Sequence, residues 1–194
     1  RVDGEAYAAA RGGIRAMQRG EYERAEEALT RAMGGAALAW MQAGLVLARG
    51  KVRYLRMDFQ GARKDLEEVS RIREGAAEVW KCLALIHGGE GETTALGGAD
   101  PRDRYREALA AYDKALDRDP RDKEVVTGRG NMWSRLGAAE GARGVDARED
   151  HRRAIAEHTK ALEADPAWSV AYVNRGHAWL GLGEAEAARG ADPR

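Results

Sequence analysis

The sequence predicts an all-α fold, a stack of antiparallel helix pairs, on three observations. First, the C-terminal half repeats itself every 46 residues: Asp119-Pro120 returns as Asp165-Pro166, Ala115-Leu116 as Ala161-Leu162, and Gly91 as Gly137 and Gly183. A fixed period of this size marks stacked supersecondary units rather than one globular core. Second, alanine, arginine, glutamate and leucine are abundant, with a single Phe59 and few β-branched residues, while the 24 glycines are too many for helix interiors and belong in part to turns and tight contacts; the composition favours helix. Third, the recurring columns within each copy are spaced three, four and seven apart, the apolar stripe of an amphipathic helix.

The copies divide the chain in order. A first helix around Tyr7 to Gln18 precedes the second-helix pattern Tyr22-x-x-Ala25-x-x-x-Leu29-x-x-Ala32, and Gly34-Gly35 breaks the chain after it. Arg49-Gly50 opens the small-residue position of the next first helix, and Phe59-x-x-Ala62-x-x-x-Leu66-x-x-Val69 is its second helix. In the last three copies the first helix carries the columns Trp80/Val126/Tyr172, Ala84/Gly130/Gly176 and His87/Trp133/Trp179. The second helix carries Tyr105/His151, Ala108/Ala154, Leu109/Ile155 and Ala115/Ala161. Small residues at Gly130, Gly176 and Ala154 let paired helices approach closely. Asp119-Pro120 and Asp165-Pro166 end the second helices, because proline cannot continue a helix.

Helix, turn, helix and a closing Asp-Pro together resemble the tetratricopeptide repeat. The stretches that carry the resemblance are Val126-x-x-Arg129-Gly130-x-x-Trp133, Ala154-x-x-x-His158-x-x-Ala161-x-x-x-Asp165-Pro166 and Tyr172-x-x-Arg175-Gly176-x-x-Trp179. The resemblance implies an α-solenoid of antiparallel helix pairs stacked in a right-handed superhelix. On that reading residues 1–194 form one array with repeats over 5–36, 43–76, 77–122, 123–168 and a partial 169–194. From Gly50 to Ala84 the period is 34 residues, the usual length of that family's unit.

The longer C-terminal period places 12 additional residues between the helices of a pair, at 92–103 and 138–149, and from Glu184 onward. These stretches share Gly98/Gly144/Gly190, Asp100/Asp146/Asp192 and Arg102/Arg148/Arg194. The aspartate reads as an N-cap, with Asp103 or Glu149 completing a capping box, and the glycine suits the preceding helix end. Extra turns on the second helix are therefore expected, about six residues or roughly 9 Å, with a helical or looped extension of the first. The resulting ridge is either a solvated spacer or a binding edge.

Thirty-two basic side chains balance 32 acidic ones, so charge makes no case for nucleic acid or an anionic membrane as partner. One cysteine, Cys82, excludes an internal disulfide framework and fits a reducing compartment such as the cytoplasm. The chain has no signal-peptide pattern, starts at Arg1 and stops partway through a repeat at Arg194, and reads as a fragment of a longer protein.

The resemblance implies binding along the inner face of the first helices. The positions expected to face inward are Tyr54, Lys81, Leu85, Thr127, Asn131, Arg135, Val173, Asn174 and His177. Leu85 and Gly128 stand where a carboxylate clamp would want polar residues, so a clamp is not supported. Arg49, Arg129 and Arg175 replace the usual leucine and are expected to reach acids of neighbouring second helices. His151 and His158, seven apart, lack further ligands at metal spacing and read as packing residues; Cys82 reads as an inert thiol. No metal or cofactor is expected. The glycine runs Gly88-Gly89 and Gly97-Gly98 lack the strand and the Gly-Lys-Ser/Thr ending of a phosphate loop.

The expected function is a non-catalytic scaffold holding a protein or peptide, with self-association through the apolar face of the last helix, at Trp179, Leu180 and Leu182. The alternative is a regulatory or substrate-docking region of a larger enzyme, such as a bacterial protein kinase.

Overall fold

The computed structural model describes residues 4–35, 39–73 and 75–190. All regular structure among them is helical: α1 (Gly4–Gln18), α2 (Tyr22–Gly34), α3 (Ala39–Leu55), α4 (Phe59–Ile72), α5 (Ala77–Leu96), α6 (Arg102–Leu116), α7 (Lys123–Gly141), α8 (Arg148–Ala164) and α9 (Ser169–Gly190). The chain divides into two compact units, Arg1–Ile86 and His87–Arg194, with the boundary inside α5.

In the first unit α1 pairs with α2 and α3 with α4. Ala25, Leu29, Ala32, Leu45 and Val52 form one buried cluster; Val46, Ala62, Leu66, Val69, Val79, Cys82 and Ile86 form a second. These are the apolar columns of the repeat, removed from water by stacking. Gly13 lets α1 close on α2, since a Cβ there would lie 2.8 Å from Leu29 Cγ. Gly50 likewise faces Asp65, whose Cβ would be 3.2 Å away.

In the second unit α7 packs on α6 and α8, and α9 on α8 and α7. Tyr105, Ala108, Tyr112, Ala115, Leu136, Ala154, His158, Ala161, Ala171 and Ala178 are buried. Asp-Pro ends α8 as expected: the helix stops at Ala164, and Asp165 is extended (φ −144°, ψ 95°) ahead of Pro166, the geometry a following proline favours; α6 already stops at Leu116, ahead of Asp119-Pro120. Asp122 starts α7 by accepting hydrogen bonds from the Glu124 and Val125 amides at 2.9 and 3.1 Å.

First helices hand over to second helices by one recurring closure. After α5, Gly98 (φ 77°) donates to the Ala95 carbonyl at 2.9 Å and Ala99 to the Thr94 carbonyl at 3.0 Å. After α7, Gly144 (φ 73°) donates to Gly141 at 2.9 Å and Val145 to Glu140 at 3.0 Å. These paired bonds satisfy the last carbonyls of the helix and need a left-handed residue, which glycine supplies without strain. After α3 the same two bonds form around Met57 (φ 62°), to Tyr54 and from Asp58 to Arg53, both 2.9 Å.

This closure corrects the expected course of the 12-residue additions. Most of the added helix extends the first helix: residues 92–96 belong to α5 and 138–141 to α7, whereas α6 and α8 gain only Arg102-Asp103 and Arg148-Glu149 at their starts. The left-handed glycine delays the end of the first helix by about a turn, and the aspartate then sets where the second begins. Asp100 Oδ1 does accept from the Arg102 amide at 3.1 Å, and Asp146 Oδ1 from the Arg148 amide at 3.2 Å. The expected reciprocal capping partners turn elsewhere: Asp103 accepts from Arg106 at 3.1 Å and Glu149 from Arg153 at 3.2 Å. In the last copy α9 runs to Gly190, while Asp192, Pro193 and Arg194 lie outside the described residues.

The added segments also tie one repeat to the next. Arg102 grips Asp100 with Nη2–Oδ2 at 2.7 Å, and Arg143, from the following turn, approaches the same carboxylate at 3.4 Å. One period later Arg148 grips Asp146 at 2.7 Å and Arg189 reaches it at 3.1 Å. The guanidinium of Arg102 and its amide hold the Asp100 carboxyl down at about 2; Asp146 is lowered further by the same contacts with Arg148. The two turns thus carry matching rungs of a ladder of arginine and aspartate, one per period.

Candidate functional site

The arginines beside the small column tie first helices to second helices. Arg49 holds the buried Asp65 with Nε and Nη2, the shortest contact being 2.6 Å, and Arg53 adds a bond at 2.9 Å. Arg129 holds Glu157 at 2.8 Å and Asp113 at 2.6 Å. Both bear out the expected pairing. Arg175 does not: its Nη1 meets the Thr159 hydroxyl at 3.4 Å, and its guanidinium lies 5.4 Å from the Tyr172 ring. Thr159 occupies the place of Asp113 one period earlier, so the acid is absent from that column.

A pocket of about 320 Å³ lies between α7 and α9. Ser134, Arg135 and Ala138 come from α7, His177, Leu180, Gly181 and Glu184 from α9, and His151 of α8 forms the floor. The helices can straddle that imidazole because both present glycine to it. A Cβ on Gly181 would lie 2.4 Å from His151 Cε1, and one on Gly137 3.0 Å from Nε2. Burial lowers the His151 pKa, against an opposing pull from Glu184, so the ring is neutral at neutral pH. His151 Nδ1 and Ser134 Oγ are buried without a hydrogen-bond partner.

The rim is charged and the wall apolar. Arg135 forms an ion pair with Glu92 and a hydrogen bond with the Tyr105 hydroxyl. Leu180 is 68% exposed, a large apolar side chain standing at the mouth. Such an arrangement takes up an apolar side chain while charged groups beside it orient the flanking chain.

Of the residues expected to bind, the structure brings Arg135 and His177 into this pocket. Asn131 and Asn174 are half-buried on the same two helices, and Val173 is exposed on α9. Thr127 is only 4% exposed and its hydroxyl accepts from Trp168 Nε1 at 3.2 Å, so it contributes packing. Tyr54 and Lys81 belong to the first unit. Tyr54 packs on that unit's core, its ring 6.1 Å from Phe59; Lys81 is half-buried and Leu85 exposed on α5. Gly128, on α7, has a packing reason: a Cβ there would lie 2.5 Å from the Tyr112 hydroxyl. Sequence reasoning missed Ser134, His151, Leu180 and Glu184 as members of one pocket. The only signal for them was their spacing: 177, 180, 181 and 184 share one α9 face.

His151 and His158 do not converge on a ligand. His158 is fully buried against Gly130, and its pKa is pushed down to about 4 by burial, which outweighs the pull of Glu157. Burial raises the Cys82 thiol to about 11, which keeps it protonated and unreactive.

The fold has clear relatives among solved structures. A tetratricopeptide-repeat protein from Parabacteroides merdae superposes with a TM-score of 0.65 at 16% identity, covering 96% of this chain and 63% of its own length. This chain has the tetratricopeptide-repeat fold. MamA from Desulfovibrio magneticus matches over 100% of both chains, with a TM-score of 0.59 at 15% identity. A thermophilic tetratricopeptide-repeat protein from Thermus thermophilus matches 90% of this chain and 99% of its own, at 0.55 and 15%. The chain therefore spans less than two thirds of the Parabacteroides protein. No protein-family model and no curated protein matches the sequence. Within the tetratricopeptide-repeat fold α7 and α9 are first helices of successive repeats, and no helix among the described residues is long and apolar enough to cross a membrane.

Proposed function

We propose that this chain is a non-catalytic protein- or peptide-binding scaffold that works through the concave face of its first helices, with residues 1–194 acting as one array. The observation that carries this reading is the pocket between α7 and α9, where Arg135 and His177 meet Leu180 and Glu184. An extended segment laid across these helices places one apolar anchor against Leu180 and Ala138, with Arg135, His177 and Glu184 reading the residues on either side. Most of the affinity comes from that anchor.

Selection from a random peptide library tests it. Enriched peptides should share an apolar residue flanked by charge, and their binding should be lost in both Leu180→Asp and Arg135→Glu. Enriched peptides that bind both variants as well as the parent chain would refute the pocket.

A second mode has its own support. Trp179 is 57% exposed and Leu180 more so, whereas Leu182 is buried, which narrows the expected uncovered face. One period earlier the Trp133 ring is covered by the Arg153 guanidinium at 4.7 Å. Self-association through Trp179 predicts a concentration-dependent mass by light scattering that Trp179→Lys abolishes; a mass that does not change with concentration removes it.

A further inference from the structure

The third repeat departs from its successors at one cluster. Among the described residues, one group of ligand-bearing side chains converges: His87 and Glu90 on α5 and Glu107 on α6, with all candidate donor atoms within 4.8 Å of one another. His87 Nδ1 is 2.9 Å from Glu107 Oε2 and 3.8 Å from Glu90 Oε2. Ligands about 2.0–2.1 Å from a tetrahedral zinc ion lie roughly 3.3 Å apart, and these separations bracket that value.

The repeat register makes the cluster more than a chance meeting of surface charges. One period on, the place of His87 is taken by Trp133 and that of Glu90 by Leu136, and a second period on by Trp179 and Leu182. Leu136 and Leu182 are buried. The place of Glu107 is taken by Arg153, which lies over the Trp133 ring. In this repeat alone, an imidazole and two carboxylates replace a tryptophan, a core leucine and the arginine stacked on the ring. A carboxylate in a leucine column costs desolvation unless a cation offsets it.

Arg104 supplies part of that charge, with Nη1 at 2.7 Å from Glu107 and 3.7 Å from Glu90. A dication between the three donors would offset both carboxylates at once. Arg104 is 45% exposed, free to swing toward solvent as an ion enters.

We propose that His87, Glu90 and Glu107 form a binding site for a divalent first-row transition metal, with Arg104 as the cation that the metal displaces. One imidazole nitrogen and two carboxylate oxygens suit Zn²⁺, leaving a fourth position for water. The i, i+3 spacing on α5 and the third ligand from α6 would make the ion a clip across the helix pair.

Zinc titration of the whole chain by calorimetry, with Co²⁺ absorption as a spectroscopic readout, tests the site. One ion should bind per chain, Glu107→Gln should weaken it by about tenfold or more, and Arg104→Gln should strengthen it. His177→Ala should leave it unchanged, which separates this site from the exposed histidine on α9. Co²⁺ should give visible bands of low coordination number in the parent chain that His87→Gln removes. Absence of stoichiometric binding in both the parent chain and Arg104→Gln would overturn the proposal. So would binding that survives both Glu107→Gln and His87→Gln.

Discussion

Arg129 of α7 and Glu157 of α8 are joined by two hydrogen bonds, 28 residues apart in sequence. Arg49 and Asp65 make the same contact in the first unit across 16 residues. In each case the residue after the arginine is the glycine on which the acid's Cβ rests: Gly50 on Asp65 and Gly130 on Glu157, at 3.2 and 3.1 Å from the Cβ each would carry. The 12 residues by which the longer spacing exceeds the shorter fall between the two partners of the same helix–helix contact.

That contact predicts a cost for breaking it. Glu157 is 8% exposed at its side chain, and Lys160 at 2.9 Å is its remaining cation if Arg129 is lost. Arg129→Leu should therefore lower stability by about 1–3 kcal/mol, read as a reduced midpoint in urea. An unchanged or higher midpoint would show that the pair contributes no net stability.

Met57 is the counterpart of Gly98 and Gly144 in the closure after a first helix, yet it carries a side chain at φ 62°. The side chain is exposed, so little packing is lost with it. Met57→Gly should raise stability by about 1 kcal/mol through relief of left-handed strain, less the entropy glycine adds to the unfolded chain. A lowered melting temperature would contradict the strain.

Gly91 shows the reverse. A Cβ there would lie 2.4 Å from Tyr105 Cε1, and Tyr105 is buried. Alanine is the better helix former by roughly 1 kcal/mol, but overpacking costs about 1–3 kcal/mol. Gly91→Ala should destabilise the chain in thermal unfolding; stabilisation would mean that the ring moves aside freely.

Two buried groups give opposing pH dependences. The His158 pKa falls to about 4 from 6.5. Below 6.5 the unfolded chain binds the proton that the folded chain refuses, so stability is lost as pH falls from 6.5 to about 4, by roughly 2–3 kcal/mol. Asp150 is raised above its ordinary 3.8 by burial, then by its hydrogen bond and repulsion with Glu140. Its contribution is complete below 3.8 and is lost as pH rises through the raised value. Asp150→Asn should leave the His158 slope alone, with stability climbing from pH 4 to 6.5. His158→Phe should remove that climb and tolerate the site, since its neighbourhood holds no partner for either ring nitrogen. Equal pH profiles in the two variants would contradict both assignments.

The helices and most of their stops were legible because periodicity and punctuation agree: Asp165-Pro166 and the Gly34-Gly35 break fall where helices end, and Gly130 closes on His158 and Glu157, whereas Gly176, expected to do the same, has nothing within 4 Å of the Cβ it would carry. The site was legible only in part. Arg135 and His177 could be placed from the register of the first helices, but His151 read as a packing residue, and its place under the pocket depends on glycines in two other helices. The ladder through Asp100 and Asp146 escaped because its rungs, Arg143 and Arg189, lie 43 residues from their aspartates, a spacing that helical periodicity does not reveal. The trio of His87, Glu90 and Glu107 was hidden for the same reason, its third ligand standing on the paired helix.

The proposed function requires a partner segment to lie on α7 and α9. Amide chemical-shift mapping with a library-selected peptide tests it most directly. Shifts should concentrate at residues 131–138 and 173–184 and be absent in Leu180→Asp. Shifts concentrated instead on the exposed residues of α6 and α8, such as Arg106, Arg152 and Ala156, would contradict it.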